Sequence, residues 1–308
     1  MTDLQCWKVT EPYLHLHCGL GEAPYYEESS QTLRFVDIVK EKLHTVNIKQ
    51  GPSSHQIIDL DDAISTTAHI EGTEDELIVG AKKGYAYYKR SSGKFEYIKK
   101  VWDESDGPGK EGRMRCNDGA VDRAGRYWVG TMNDPKVQAP TDEGVLFRLD
   151  PDLTLHRMIE KATIPNGIGW SADDTKMFFV DSPTGSIVVF NYDLGSGSIS
   201  DRRVFFHYSD DDGGVPDGFA MDVEGNLWTA ICGGGKVLKV SAEGKVVGVI
   251  EMPTRMISCP GFAGEDLFIT SAEEEEPEKY PNSVEYGGSL FRVNVGITGM
   301  PLHRFRRS

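Results

Sequence analysis

Long apolar runs are missing from this chain. No stretch approaches the roughly 18 apolar residues of a membrane span, so no membrane partner is expected. Positive charge is scarce: 33 Lys and Arg stand against 48 Asp and Glu in 308 residues, a net charge of −15. Affinity for nucleic acid rests mainly on neutralising phosphates, and docking on an anionic bilayer needs basic clusters. The charge balance argues against both partners and suits a protein whose field attracts cations. Cysteine is sparse and unpaired in pattern. Cys6, Cys18, Cys116, Cys232 and Cys259 are scattered, odd in number and free of any C-x-x-C pair. That usage fits reduced thiols in a cytoplasmic protein rather than a disulfide frame. The opening residues, Met1-Thr2-Asp3-Leu4-Gln5-Cys6-Trp7-Lys8, lack the basic-then-apolar order of a signal peptide. H-E-x-x-H and G-x-S-x-G are absent, which removes support for zincin and serine-hydrolase chemistry. Helical periodicity is never sustained beyond two turns.

Glycine, by contrast, is abundant: 34 residues, about 11% of the chain, against a usual share of about 7%. It punctuates a repeat. A polar turn followed by a short β-rich run occurs six times, anchored on Phe35, Ile78, Trp128, Phe178, Trp228 and Phe268, which are spaced 43, 50, 50, 50 and 40 residues apart. Most copies are followed by a second alternating stretch and a turn, as in Leu146-Phe147-Arg148-Leu149-Asp150-Pro151. Period-two alternation closed by Gly- or Asp-rich turns marks antiparallel hairpins. Short strands repeating every 40–50 residues or so are propeller blades. The pattern predicts an all-β fold, a six-bladed β-propeller with a central channel, as a single domain over residues 1–308. A pair of β-sandwiches is the alternative, but sandwiches impose no fixed period.

Polar residues recur at one offset in this repeat. Eleven to thirteen positions before the anchor stand Glu22, Asn117, Asn166 and Asp217, each beside or near Gly or Pro. In the second and sixth copies the offset falls near Thr66-Thr67 and Met256-Ile257, which offer nothing comparable. Equivalent positions in a propeller are related by its axis, so four such side chains would converge near one mouth of the channel. Two enclosed carboxylates repel and are poorly solvated unless compensated. An all-oxygen set fits a hard divalent cation such as Ca²⁺, Mg²⁺ or Mn²⁺, with Zn²⁺ as a further occupant. Each motif alone, Asn-Gly or Pro-Asp-Gly, is also an ordinary turn.

Several segments together resemble the senescence-marker-protein, gluconolactonase and regucalcin family. They are Leu20-Gly21-Glu22-Ala23-Pro24 with Phe35-Val36-Asp37, Asn117-Asp118-Gly119 with Asp122 and Gly125-Arg126-Tyr127-Trp128-Val129-Gly130-Thr131-Met132, Pro165-Asn166-Gly167-Ile168-Gly169-Trp170-Ser171, and Pro216-Asp217-Gly218 with Asp222, Glu224 and Gly225-Asn226-Leu227-Trp228. The resemblance spans nearly the whole chain. It implies six blades, one divalent cation in the channel mouth (Ca²⁺ first) and a hydrolase opening small lactones such as aldonolactones. It also implies Glu22, Asn166 and Asp217 as metal ligands, Arg115 and Asn117 as substrate contacts, and Asp134 as a plausible counterpart of a further acidic residue. Ala23 departs from the family, which often has a second glycine there. Lactone opening needs carbonyl polarisation, an activated water and oxyanion stabilisation. A metal supplies the first and third, and Asp217, or water held by it, is the expected catalytic base. Two other functions fit the same residues: organophosphate (phosphotriester) hydrolysis on the same metal, and a non-enzymatic cytosolic calcium-binding protein. Oligomeric state has no signature in the sequence.

Other signals read as structure. Gly107-Pro108-Gly109-Lys110-Glu111-Gly112 spells G-x-G-x-x-G without a βαβ unit, so it is a loop. Trp102 to Gly112 is expected as a loop over the mouth. Asp210-Asp211-Asp212-Gly213-Gly214 lacks the final Glu of a calcium loop. Glu273-Glu274-Glu275-Glu276 reads as an exposed charge run. His15 and His17 alternate on a presumed strand and read as structural or surface residues.

Overall fold

In the computed structural model, which describes residues 4–210 and 213–308, six antiparallel sheets form the blades of a β-propeller. Each blade begins with an innermost strand: Gly21–Glu27, Ile64–His69, Met114–Val121, Pro165–Trp170, Val215–Met221 and Ile257–Ala263. These six strands contact their neighbours around a closed ring, the first against the sixth. The second strands carry the sequence anchors, and all six anchors are buried. They belong to apolar clusters that lie between adjacent blades, such as Trp128 with Ile168, Trp170 and Phe179. A strand buried on both faces reads as a nearly continuous apolar run, which is why each anchor was visible in the sequence. Asp210-Asp211-Asp212 falls partly on residues 211 and 212, outside the described residues.

Two turns at the ends of blades three and five use buried carboxylates. Asp122 accepts from Trp128 Nε1 at 2.9 Å and Arg126 Nε at 2.7 Å; Asp222 accepts from Trp228 Nε1 at 2.9 Å and from the Asn226 backbone at 2.9 Å. These charges are fully partnered and hold the turn to the second strand.

The chain ends close the ring. Gln5–Lys8 pairs in parallel with Val246–Glu251 as a fifth strand of blade five. Tyr13 and Leu14 then hydrogen-bond Leu290 beside the three-stranded sixth blade. The C-terminal segment crosses the opposite face: Met300 N donates to Met221 O, Phe305 N to His69 O and Arg306 N to Gly125 O. This strap ties blade five to blades two and three and covers the channel. All five cysteines are free thiols. Among the described residues no helix is long and apolar enough to cross a membrane.

Phe305 is fully buried in the cluster that contains Ile78, Tyr85 and Phe147. Phe305→Ala is expected to lower stability by about 3–5 kcal/mol, the usual cost of emptying a buried phenylalanine site. Urea unfolding checks this; a loss below about 1 kcal/mol would mean that the strap is not part of the cooperative core.

Candidate functional site

The site is built by a defect repeated in every blade. Each innermost strand breaks register with its partner near its start, between Glu22 and Tyr25, Cys116 and Gly119, Pro165 and Ile168, or Pro216 and Phe219, and likewise in blades two and six. Such a bulge bends the strand and re-aims a side chain. Glycine after the functional residue is required by packing: a Cβ on Gly167 would lie 2.4 Å from Phe219, and one on Gly218 2.5 Å from Cys259 Sγ. In blade one the corresponding Ala23 adopts φ 50, a left-handed conformation that costs a non-glycine residue roughly 1–2 kcal/mol. The strain sits next to Glu22.

Glu22, Asn117, Asn166 and Asp217 are all buried; Asn166 hydrogen-bonds Asn117 and Asp217, and the charge of Asp217 acts on Glu22. Asn117 Nδ2 donates to Asn166 Oδ1 at 2.9 Å and to Pro165 O at 2.9 Å. Arg115 Nη1 donates to Asn117 Oδ1 at 2.7 Å and to Cys116 O at 2.8 Å. Asn166 Nδ2 donates to Ser182 Oγ at 2.8 Å, and Ala23 N to Glu22 Oε2 at 2.9 Å. Burial pushes the Asp217 carboxyl up to about 8, aided by the charge of Asp118, while hydrogen bonds from Cys232 and Asn166 hold it back. Glu22 is raised well above the ordinary carboxylate range by burial and then by Asp217 and Asp118. The sequence passed over Asp118 as a turn residue. Here it is the third carboxyl of the cluster, raised to about 6 by burial, with Gly119 N donating to it at 2.6 Å. It lines a cavity of about 180 Å³ further down the channel, floored by Met300–His303 of the strap.

Blades two and six present Ser65 and Ser258 at the bulge rather than the residues the offset indicated. Ser65 Oγ donates to Gly80 O at 3.2 Å, and Ser258 Oγ to Gly21 O at 2.5 Å. Asp134 is committed elsewhere: burial works to raise its carboxyl, but an ion pair with Lys82 and a bond from Lys136 N hold it below the ordinary range. The segment Trp102 to Gly112 packs in part on the third and fourth strands of blade three. Trp102 is buried edge-on against Phe147 at 5.2 Å, and Asp106 pairs with Arg157. Within the acidic run, Glu274 departs from the exposed reading: its side chain is buried against Arg255 at 3.0 Å. Arg255 also donates to Gly233 O at 2.9 Å. His15 lies at the surface, with Nε2 2.8 Å from Glu285 O.

Glu22, Asp118 and Asp217 have raised proton affinity, and oxygen donors of this kind suit a hard divalent cation. The geometry thus defines a six-bladed propeller with buried carboxyls and carboxamides on its innermost strands. Residues 20–273 match the SMP-30/Gluconolactonase/LRE-like region, and the chain belongs to that family. It is 31% identical to regucalcin of Bos taurus over 94% of this chain and 96% of the relative. It is 29% identical to YvrE of Bacillus subtilis, named as a sugar lactone lactonase, over 91% and 92%. Among solved structures, a luciferin-regenerating enzyme superposes with a TM-score of 0.86 at 27% identity, covering 97% of this chain and 99% of that one.

A cation held by Asp217 would have to displace the proton that burial keeps there up to about pH 8. Apparent Ca²⁺ affinity is therefore expected to rise with pH toward 8, by up to about tenfold per unit where one proton is released. For the metal-free protein the sign is opposite. A carboxyl raised from its ordinary 3.8 to about 8 contributes stability present below about pH 4 and lost as pH climbs toward 8. Calorimetric titration and thermal melts at several pH values check both; Asp217→Asn should flatten each profile.

Proposed function

We propose that this protein is a metal-dependent lactonase, a carboxylic ester hydrolase opening small sugar lactones such as aldonolactones at the channel mouth. The carrying observation is the buried chain of hydrogen bonds from Arg115 through Asn117 and Asn166 to Asp217, whose charge acts on the buried Glu22. Membership of the gluconolactonase family and the likeness to YvrE support the lactone as substrate class.

Glu22, Asn166 and Asp217 would hold the cation. Ca²⁺ is favoured by the oxygen donors and by the regucalcin likeness, with Zn²⁺, Mg²⁺ or Mn²⁺ as alternatives. When bound, a divalent cation supplies stabilisation of negative charge developing on a lactone carbonyl oxygen. Arg115 and Asn117 bind the substrate's oxygens. Arg115 has one Nη engaged with Cys116 O and Asn117 Oδ1, so its remaining N–H groups can meet a hydroxyl or ring oxygen. Asp217 is the base that takes a proton from the attacking water. Its burial favours proton uptake and a neighbouring cation opposes it, so the two effects together set its strength. The strap closes the far end of the channel, which limits water around the reacting groups and strengthens these electrostatic effects. Five free thiols fit a cytoplasmic setting.

The test is hydrolysis of gluconolactone and five- and six-membered aldonolactones, followed by pH-stat before and after chelation, with a phosphotriester in the same panel. Turnover should vanish on chelation and return with Ca²⁺. Asp217→Asn should lower kcat by about 10²–10⁴-fold, the range for losing a general base. A protein that keeps its ion but opens no lactone would overturn the reading in favour of calcium binding without catalysis. Turnover confined to the phosphotriester would move the function to organophosphate hydrolysis.

A further inference from the structure

Away from the channel carboxylates, a second cluster joins the start of blade one to its second and third strands. Cys18, Asp37 and His44 are buried, and one ligand atom from each lies within 4.8 Å of the other two. Cys18 Sγ stands 3.9 Å from His44 Nε2. A tetrahedral Zn²⁺ with Zn–S of about 2.3 Å and Zn–N of about 2.0–2.1 Å places sulfur and nitrogen about 3.6 Å apart. The observed gap is close to that edge. The opposite ring nitrogen, His44 Nδ1, lies 3.0 Å from His55 Nε2. The two imidazoles are stacked with each other, and His44 is stacked on Phe35. Ligating histidines are commonly oriented by such a partner on the other nitrogen.

An internal comparison shows that the fold does not require these residues. Asp37 accepts from Gly19 N at 2.9 Å and Leu20 N at 3.2 Å; in blade four Asp181 accepts from Thr163 N at 3.1 Å and Ile164 N at 2.8 Å. The two loops are equivalent. By the strand register, Cys18 corresponds to Ala162 and His44 to Val188. The same loop is therefore built in blade four from two apolar residues, and blade one replaces both with metal-ligating types. Asp37 Oδ1 also accepts from Lys40 N at 3.0 Å, so the carboxylate is already fixed in place.

We infer that Cys18, Asp37 and His44 form a binding site for a thiophilic divalent cation, Zn²⁺, distinct from the oxygen-lined channel mouth and oriented by His55. Thiolate and carboxylate together carry two negative charges, which the ion neutralises inside an apolar wall containing Leu33, Phe35 and Leu290. Without an ion, burial and then Asp37 push the Cys18 thiol up to about 12, while burial and then His55 hold His44 down to about 4. His44 is thus ready to ligate, and uptake releases the Cys18 proton. The ion would tie the loop leading into Glu22 to the second and third strands of blade one.

The test uses the full chain, stripped of metal under reductant and reloaded with one equivalent of Zn²⁺ or Co²⁺. X-ray absorption at the zinc edge should show one sulfur among nitrogen and oxygen neighbours. The cobalt form should show a thiolate-to-metal charge-transfer band. That band should persist in Asp217→Asn and Cys232→Ser and disappear in Cys18→Ser and His44→Asn. His55→Ala should weaken Zn²⁺ binding by about 10–100-fold, as for other outer partners. A wild-type spectrum without sulfur would overturn the proposal, as would a band that survives Cys18→Ser and is lost in Cys232→Ser. The wild-type absorption measurement stands even if a variant fails to fold.

Discussion

Like charges gathered away from water set the terms for the rest of this molecule. Burial raises the proton affinity of Glu22, Asp118 and Asp217, Asp118 adds to the effect on both others and Asp217 to that on Glu22, and the buried guanidinium of Arg115 opposes it at Glu22 and Asp217. An isolated buried carboxylate is costly enough that it protonates or finds a counter-charge. The cluster can persist only if the wall behind it does not yield. That wall is the closed ring of innermost strands, packed through six inter-blade apolar clusters. Interiors at this density resist small displacements, so the blades keep the carboxyls together where a looser scaffold would let them separate into water.

Ring closure is then part of the site's electrostatics as well as of its stability. Blade six supplies only three strands of its own, and Tyr13 and Leu14 lie along its edge at Leu290. The same N-terminal stretch runs directly into Cys18 and Glu22, so the segment that closes the ring also carries one of the channel carboxyls. At the far end the strap places Met300–His303 under the cavity that Asp118 lines. One end is lined by oxygen donors and the other is floored by the chain itself, which gives the carboxyls a one-sided exposure to solvent.

The blade pattern was legible because its physical cause is local: a strand buried between two blades must be apolar, and Phe35, Ile78, Trp128, Phe178, Trp228 and Phe268 are all buried. Glu22, Asn117, Asn166 and Asp217 were legible because a bulge that re-aims a side chain needs turn-forming neighbours, which leave a mark in the sequence. Ser65 and Ser258 were not. Ser65 stands 13 positions before its anchor and Ser258 ten, and serines bonded to the backbone carbonyls of Gly80 and Gly21 have no distinctive neighbours. Asp118 was hidden inside Asn-Asp-Gly, where a turn accounts for it equally well. Cys18, Asp37 and His44 have no motif spacing, since register and the returning loop bring them together. The strap carries no repeat at all, and its place follows only from the finished ring.

What separates structural from functional carboxylates here is their donor count. Asp122 is met by Trp128, Tyr192 and Arg126. Glu27 lies between Arg34 and Arg90 and is held down to about 2, against the opposing effect of its burial. Asp181 gathers the backbone N–H groups of Thr163 and Ile164. All of these are as buried as the channel residues, yet each is met by several donors. Glu22 and Asp118 each take one neighbouring backbone N–H, and Asp217 takes a thiol and an amide. Burial alone therefore does not mark the site. Burial with few donors sets the channel carboxyls apart: three side chains satisfy Asp122, whereas Glu22, Asp118 and Asp217 keep the raised proton affinity of under-partnered groups.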